Sequence, residues 1–419
     1  MPIPDFPTPT PESIPELKPL LEHRADADFV ALLQLSLAEA NAKAMASLDP
    51  LLYAALPFAD MAWPLTLDDY LTYLARFSRW IPQQSSDPAW LAPDSPLGEH
   101  QEIYDRLCFC YWLIDQPVGP NGLVIQDIPW FAEFLRGYAA VWGDFLDSTE
   151  SFNDQTLQSF LQDSPEYRVQ DSLIGTPPRP NEPSGWKTFN QFFARELNPG
   201  LRPIVNPADN RTIVAPADCT YKQHYQIGAN GEIQPPITIK GTHSYATVQM
   251  LLSGSQYADA FNGGHFIHFF LGPYSYHRFH TPVAGVVKEC YPLTGQVYLK
   301  VTLGGGQFQA ADSSDDGYEF LQARGIITID SSASAFGNVG IVAAIPVGMC
   351  QVSGVNMTHL VDQPCLKGDE FGYFTFGGSD IIVLTQAGVD VTYNPAFFQT
   401  PPPYSHYGSL VATVTPPKG

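Results

Sequence analysis

The chain has 419 residues, more than one hydrophobic core usually serves, so two domains are expected. Hydrophobic residues at 44% and aromatics at 13% supply a packed interior and exclude a disordered chain. Twenty-one basic against 43 acidic residues leave a net charge of −22, which excludes a basic nucleic-acid-binding face and offers no basic cluster for anionic lipid. No nucleic-acid partner and no stable membrane association are therefore expected. No run approaches the roughly 20 apolar residues of a membrane span. The start, MPIPDFPTPTPESIPELKPLL, lacks the basic and apolar regions of a secretory signal. The six cysteines (108, 110, 219, 290, 350 and 365) follow no metal-ligand spacing, so no metal site is assigned. Buried free thiols in a reducing cytoplasmic setting are the expectation.

In chain order, residues 1–15 are broken by prolines and read as a disordered or extended arm. From 16 to 173 the apolar residues recur every three or four positions. FVALLQLSLAEANAKAMASL, LTLDDYLTYLARFSRWI, EIYDRLCFCYWLID and IPWFAEFLRGYAAVWGDFLDS read as helices, with LQSFLQD resuming after a capping stretch. This part carries few convergent polar groups, and a structural or substrate-covering role is its default. GTPPRPNEPSG, within 174–185, reads as a linker. Beyond it, HFIHFFL, GVVKECYPL, VYLKVTL, GIITID, VGIVAAIPVG, SDIIVLTQ and the shorter ITIK read as strands divided by turn residues. Gly304–Gly306 lie between strand-like runs and read as a hairpin turn, not a phosphate loop. The expected fold class is α+β: an all-helical N-terminal domain, then a β-rich, mostly antiparallel catalytic domain over 186–395. A proline-rich tail, 396–419, is expected to wrap the surface.

Three features could carry chemistry. His277 and His280 stand three apart in YHRFHTP; without further ligands, and taken alone, a core or surface histidine pair is a safer reading than catalysis. Gly377 and Gly378 precede Ser379 in FGYFTFGGSDIIVL, either an ordinary turn or a peptide whose carbonyl the next side chain attacks. Asp218, in VAPADCTY, is a turn aspartate or a carboxylate that orients a histidine base.

Taken in order, PAD, YHRFHTP and GGS resemble the phosphatidylserine decarboxylase family. FFARELNPGLRPI (192–204), IKGTHSYATVQMLL (239–252) and LKGDEFGYFTFGGS (366–379) are similar to further segments of that family, so the resemblance runs from about Trp186 to Val391. It implies that Ser379 is the self-cleavage serine, Gly378 supplies the scissile carbonyl, His280 activates the serine and Asp218 orients His280. It assigns His277 to the later decarboxylation. The cofactor implied is a pyruvoyl group formed from Ser379, on fragments 1–378 and 379–419, which takes a substrate amine as a Schiff base and replaces pyridoxal phosphate as electron sink. Two positions depart from the pattern. Asp380 stands where Thr or Ser is common, which places a negative charge beside the reacting bond, and Cys219 stands where Gly is usual.

The N-terminal stretch AAVWGDFLDSTESFND resembles the extra domain of soluble fungal-type pyruvoyl decarboxylases that act on tryptophan and related amino acids. The expected substrate is a small free L-amino acid, aromatic, with tryptophan favoured. Tyr274, Tyr276, Phe279 and Phe376 are candidates to stack on its ring, with core packing an equal reading for each. Two alternatives stand beside this: a phosphatidylserine decarboxylase making phosphatidylethanolamine, and a cleavage-deficient, non-enzymatic homologue acting as a binding module. Oligomeric state stays open.

Overall fold

In the computed structural model, residues 9–92, 100–172, 185–237, 246–310, 317–349 and 354–415 are described. Cys350, most of ITIK, the first part of the IKGTHSYATVQMLL segment and residues 174–184 of the linker lie outside them. Helices form early in the chain where apolar periodicity meets a cap. Ala27–Ser47 starts at Asp26, whose carboxylate accepts from Phe29 N. Leu67–Phe77 carries a full capping box between Thr66 and Asp69. Glu102–Trp112, Pro129–Leu146 and Asp154–Gln162 follow, the last capped by Asn153. Buried aromatics fill the space between them and spend their polar atoms on backbone: Trp142 donates to Trp80 O at 2.9 Å and Tyr138 to Leu74 O at 2.6 Å. Residues 11–17 are not an open arm. Short 3₁₀ turns, each with proline at the start, bury Ile14 and Leu17.

Two compact units result. The first comprises Met1–Glu166, Arg179–Phe189 and Val297–Ala311; the second comprises Tyr167–Pro178, Asn190–Gln296 and Asp312–Gly419. The hairpin of Val301–Gly304 and Gln307–Ala310 thus belongs to the helical unit, although it is encoded among the strands. Its turn uses Gly305 and Gly306 at φ 61° and 84°, which a side chain would resist. Asp115 accepts from Val301 N at 2.9 Å, and Gln126 donates to Leu299 O.

The second unit is built on an antiparallel sheet. Among the described residues its order is Pro364–Cys365, Gly285–Leu293, Arg324–Asp330, Ile341–Met349, Gly378–Thr385, His265–Leu271, Cys219–Ile227 and Tyr404–Ser405. Gly378–Thr385 is central, paired with Ile341–Met349 on one side and His265–Leu271 on the other. A second sheet sets Glu370–Phe374 between Val355–Met357 and Arg278–His280. A third joins Thr212–Val214, Leu410–Thr415 and Asp390–Tyr393. The 396–419 stretch is therefore not a surface wrap over its described part. The residues from 404 to 415 contain no proline, and the β-branched composition of Leu410–Thr415 buries Val411 and Ala412 within a sheet. Among the described residues, no helix is long and apolar enough to cross a membrane.

Candidate active site

Ser379 is the second residue of the central strand Gly378–Thr385, level with Gly348 on one neighbour and Leu271 on the other. Its side chain is fully buried, and its Oγ has no hydrogen-bond partner among the described residues. A buried hydroxyl without a partner loses its bonds to water and gains none, so it is held at a cost. Phe376, three residues earlier, is anchored by its N–H to Asn190 Oδ1 at 2.9 Å.

The histidines reach this chain through the strand pairing of Arg278–His280 with Glu370–Phe374, and Phe374 N donates to His277 O at 2.9 Å. His280 is held at both ring nitrogens. Nδ1 lies 2.9 Å from Gly368 O and Nε2 lies 3.2 Å from Tyr276 Oη. A carbonyl only accepts, so Nδ1 carries the proton and Nε2 presents its lone pair to the Tyr276 hydroxyl. Burial, helped by the charge of Arg278 and opposed by the Gly368 bond, lowers the His280 pKa to about 4. This is an imidazole that stays neutral at pH 7, with an unprotonated Nε2.

Asp218 is buried just before the strand Cys219–Ile227, and its carboxylate faces cations and backbone. Arg202 Nε donates at 3.0 and 3.1 Å and Nη2 at 2.6 Å, while Tyr407 N donates at 2.8 Å. Among the described residues no hydrogen bond joins Asp218 to His280. The expected direct orientation is replaced: Gly368 O takes the Nδ1 proton, and Tyr407 stands between the two side chains' environments. Its ring stacks on His280 at 3.7 Å and 6°. Cys219 is accommodated as a fully buried side chain, its thiol pushed well up by burial and then by the Asp218 charge.

His277 is also fully buried, stacked on Phe193 at 3.8 Å, and Phe193 in turn meets Phe376 edge-on at 5.0 Å. Neither ring nitrogen makes a well-formed hydrogen bond among the described residues. Burial first, then the charge of Arg195, holds its pKa well below the ordinary histidine value, the Ser275 backbone pulling the other way. Arg195 itself is buried, and its Nη2 donates to Tyr167 O, Tyr274 O and Ser275 O, which fastens the segment leading into His277. Of the aromatic candidates, Tyr276 touches His280, and Phe376 packs on Phe193, the ring that stacks on His277. Phe279 packs in the core against Phe371 and Phe374, and Tyr274 lies 5.9 Å from Tyr404.

Asp380 does not put its charge beside the serine. Its carboxylate accepts from Tyr318 and lies 2.9 Å from His268 Nε2 and 3.6 Å from Lys222 Nζ. Burial alone would raise its pKa, but Lys222 and His268, with the bonds from His268 and Tyr318, hold it below the usual carboxylate value.

Sequence reasoning missed Gly368, Tyr407, Arg195 and Arg202 as parts of the site. Three of them lie inside segments already noted, LKGDEFGYFTFGGS and FFARELNPGLRPI. Gly368, at φ 88° with Ile204 Cδ1 2.6 Å from any added Cβ, has the strongest local signature.

Residues 189–399 match the family described as phosphatidylserine decarboxylase. Phosphatidylserine decarboxylase proenzyme 3 of Schizosaccharomyces pombe is 35% identical over 205 residues, 49% of this chain and 19% of the relative. Decarboxylase iboD of Amanita muscaria is 27% identical over 287 residues, 63% of this chain and 79% of the relative. The phosphatidylserine decarboxylase proenzyme of Clostridium novyi is 28% identical over 274 residues, 65% and 80% of the two chains. The match thus spans about a fifth of the fission-yeast relative and about four-fifths of the other two.

Proposed function

The chain belongs to the phosphatidylserine decarboxylase family, and from that premise we propose that it is a self-processing, pyruvoyl-dependent decarboxylase whose cofactor forms from Ser379. The observation that carries this reading is the Ser379 hydroxyl, buried and without a partner at the head of a central strand behind two glycines. In the processing step, Nε2 of His280 takes the serine proton. Ser379 Oγ attacks the Gly378 carbonyl carbon, the C–N bond breaks and the acyl group passes to oxygen. Loss of the Ser379 Cα proton expels the Gly378 carboxylate and leaves dehydroalanine. Water then displaces its nitrogen as ammonia, which leaves a pyruvoyl group heading 379–419. The residues at the site suit a group made there, since Ser379 lies in a dry environment that no competing donor enters among the described residues.

The finished group supplies an electrophilic carbonyl that captures an amine and takes up the electron pair left by CO2. His277, neutral and dry against Phe193, holds a proton at one ring nitrogen for return to the carbon that lost CO2. Arg195 fixes the segment that carries it.

For the substrate we infer a free aromatic L-amino acid, tryptophan first, supported by Phe193, Phe376 and Tyr276 around the two histidines. Phosphatidylserine is the second reading, favoured by the names of the fission-yeast and clostridial relatives. Mass spectrometry of the denatured protein tests the processing. Fragments 1–378 and 379–419, the smaller lacking an N-terminal amine, are expected, and one full-length chain would overturn it. Release of CO2 from free tryptophan compared with phosphatidylserine in mixed micelles then separates the two substrates.

A further inference from the structure

The segment Tyr404–Gly408 runs through the site although it lies far along the chain from Asp218 and His280. Tyr404 and Ser405 pair with Thr220 and Cys219, which places the following turn beside Asp218. Gly408 N donates to Ala215 O at 2.9 Å, and Val205 N donates to Gly408 O at 2.9 Å, so the turn is fastened from both sides. Gly408 is at φ 82°, and a Cβ there would meet Ile204 Cδ1 at 2.6 Å, so the close approach needs glycine. Between these anchors Tyr407 does two things at once. Its N–H donates to Asp218 Oδ1 at 2.8 Å, and its ring lies parallel to His280 at 3.7 Å.

His280 is held by its two edges, through Gly368 O and Tyr276 Oη, and those contacts leave its faces unrestrained. Tyr407 covers one face. Without it the ring would be free to tilt, and water would reach Nε2. Asp218, which makes no direct bond to His280 among the described residues, fixes the backbone of the residue that does the covering.

We propose that Tyr407 is a positioning residue through which Asp218 acts on His280, so that the 379–419 fragment supplies both the reacting serine and the support of its base. This rests on the self-processing reading above, and it gives the small fragment two points of attachment to one site.

The groups facing His280 are Tyr276 and Arg278 from its own segment, Glu370 from the paired strand and Tyr407 from the late turn, with Asp218 and Arg202 behind. Tyr407→Phe keeps the ring and the N–H; Tyr407→Leu keeps bulk and the N–H but loses the flat face. Cleavage of freshly synthesised full chain, followed over time from pH 4 to 8, is expected to be unchanged in Y407F. In Y407L it should slow at least tenfold at neutral pH, with its acid midpoint moved upward, because water now stabilises the charged ring. An unchanged rate and midpoint in Y407L would overturn the proposal, as would an equal defect in Y407F.

A second measurement does not depend on cleavage. In Ser379→Ala protein, nitrogen NMR titration of His280 should show the midpoint higher in Y407L than in the parent, and an identical midpoint would overturn the proposal. Failure of the self-processing reading is recognised separately, as a folded parent chain that never splits. The Ser379→Ala titration still decides the role of Tyr407 in that case.

Discussion

Ser379 and Asp380 are consecutive, both fully buried, and face opposite sides of one strand. Ser379 is level with Leu271 and Gly348, Asp380 with Phe270 and Val347, and successive strand residues point to opposite faces. The Asp380 carboxylate turns to His268, Tyr318 and Lys222, and the serine hydroxyl turns away from them. The strand keeps the charge and the serine hydroxyl apart while pinning both to the same register.

Breaking the Asp380 network should therefore damage the fold more than the chemistry. Asp380→Asn removes the charged carboxylate that Lys222, His268 and Tyr318 share. Removal of one partner from a buried pair typically costs about 3–5 kcal/mol. Because the Asp380 pKa is lowered in the fold, its stabilisation is present above the ordinary aspartate value and is lost as pH falls through the folded one. A clear drop in the denaturant midpoint at pH 7, which shrinks at strongly acid pH, is expected. An unchanged midpoint would contradict the network.

Self-cleavage should tolerate acid unusually well. The proposed processing step needs the base form of His280, and its pKa is lowered to about 4 by burial. The rate should hold as pH drops below about 6.5, where an ordinary histidine would begin to fail, and decline only near 4. For stability the sign is the same. The unfolded chain takes the proton first, so the fold loses this contribution between about 6.5 and 4. A rate that halves near pH 6.5 would contradict a lowered His280 pKa.

The two histidines should separate by function. His277→Gln keeps the volume near Phe193 and removes the proton-carrying ring. Normal fragments 1–378 and 379–419 with turnover reduced at least a hundredfold are expected, within the usual span of general acid–base catalysis. His280→Gln should instead leave an uncut chain. Equal cleavage defects in both would end the division of labour.

Arg202→Met leaves the buried Asp218 carboxylate with the Tyr407 N–H as its one remaining hydrogen bond among the described residues. The side chains of the pair are 5% and 2% exposed, so solvent does not compensate. A loss of about 3–5 kcal/mol is expected from an unpaired buried charge, read as a fall in thermal midpoint. A companion Asp218→Asn should recover part of it, and failure to recover would place the cost elsewhere.

Much of this protein is local and so was legible along the chain. Thr66 with Asp69 and Asn153 with Thr156 announce helix starts because a cap bonds within four residues. The runs HFIHFFL and SDIIVLTQ declare buried strands through apolar, β-branched composition. The GGS dipeptide-and-serine and YHRFHTP point to chemistry because their residue types are adjacent. Other features carried no local mark. The 301–310 hairpin joins the helical unit through Asp115 and Gln126, partners that no neighbouring sequence specifies.

By itself, then, the sequence determined which residue types stand in short motifs, and from these Ser379, His277, His280 and Asp218 are proposed to react. Only the tertiary structure decided what each one touches. Strand alternation turned Asp380 away from Ser379. Sheet register carried Gly368 to His280 across 88 residues and Tyr407 to Asp218 across 189. A hydrogen bond acts over about 3 Å. At such separations along the chain, that proximity comes from the packing of sheets and turns, and no motif can encode it.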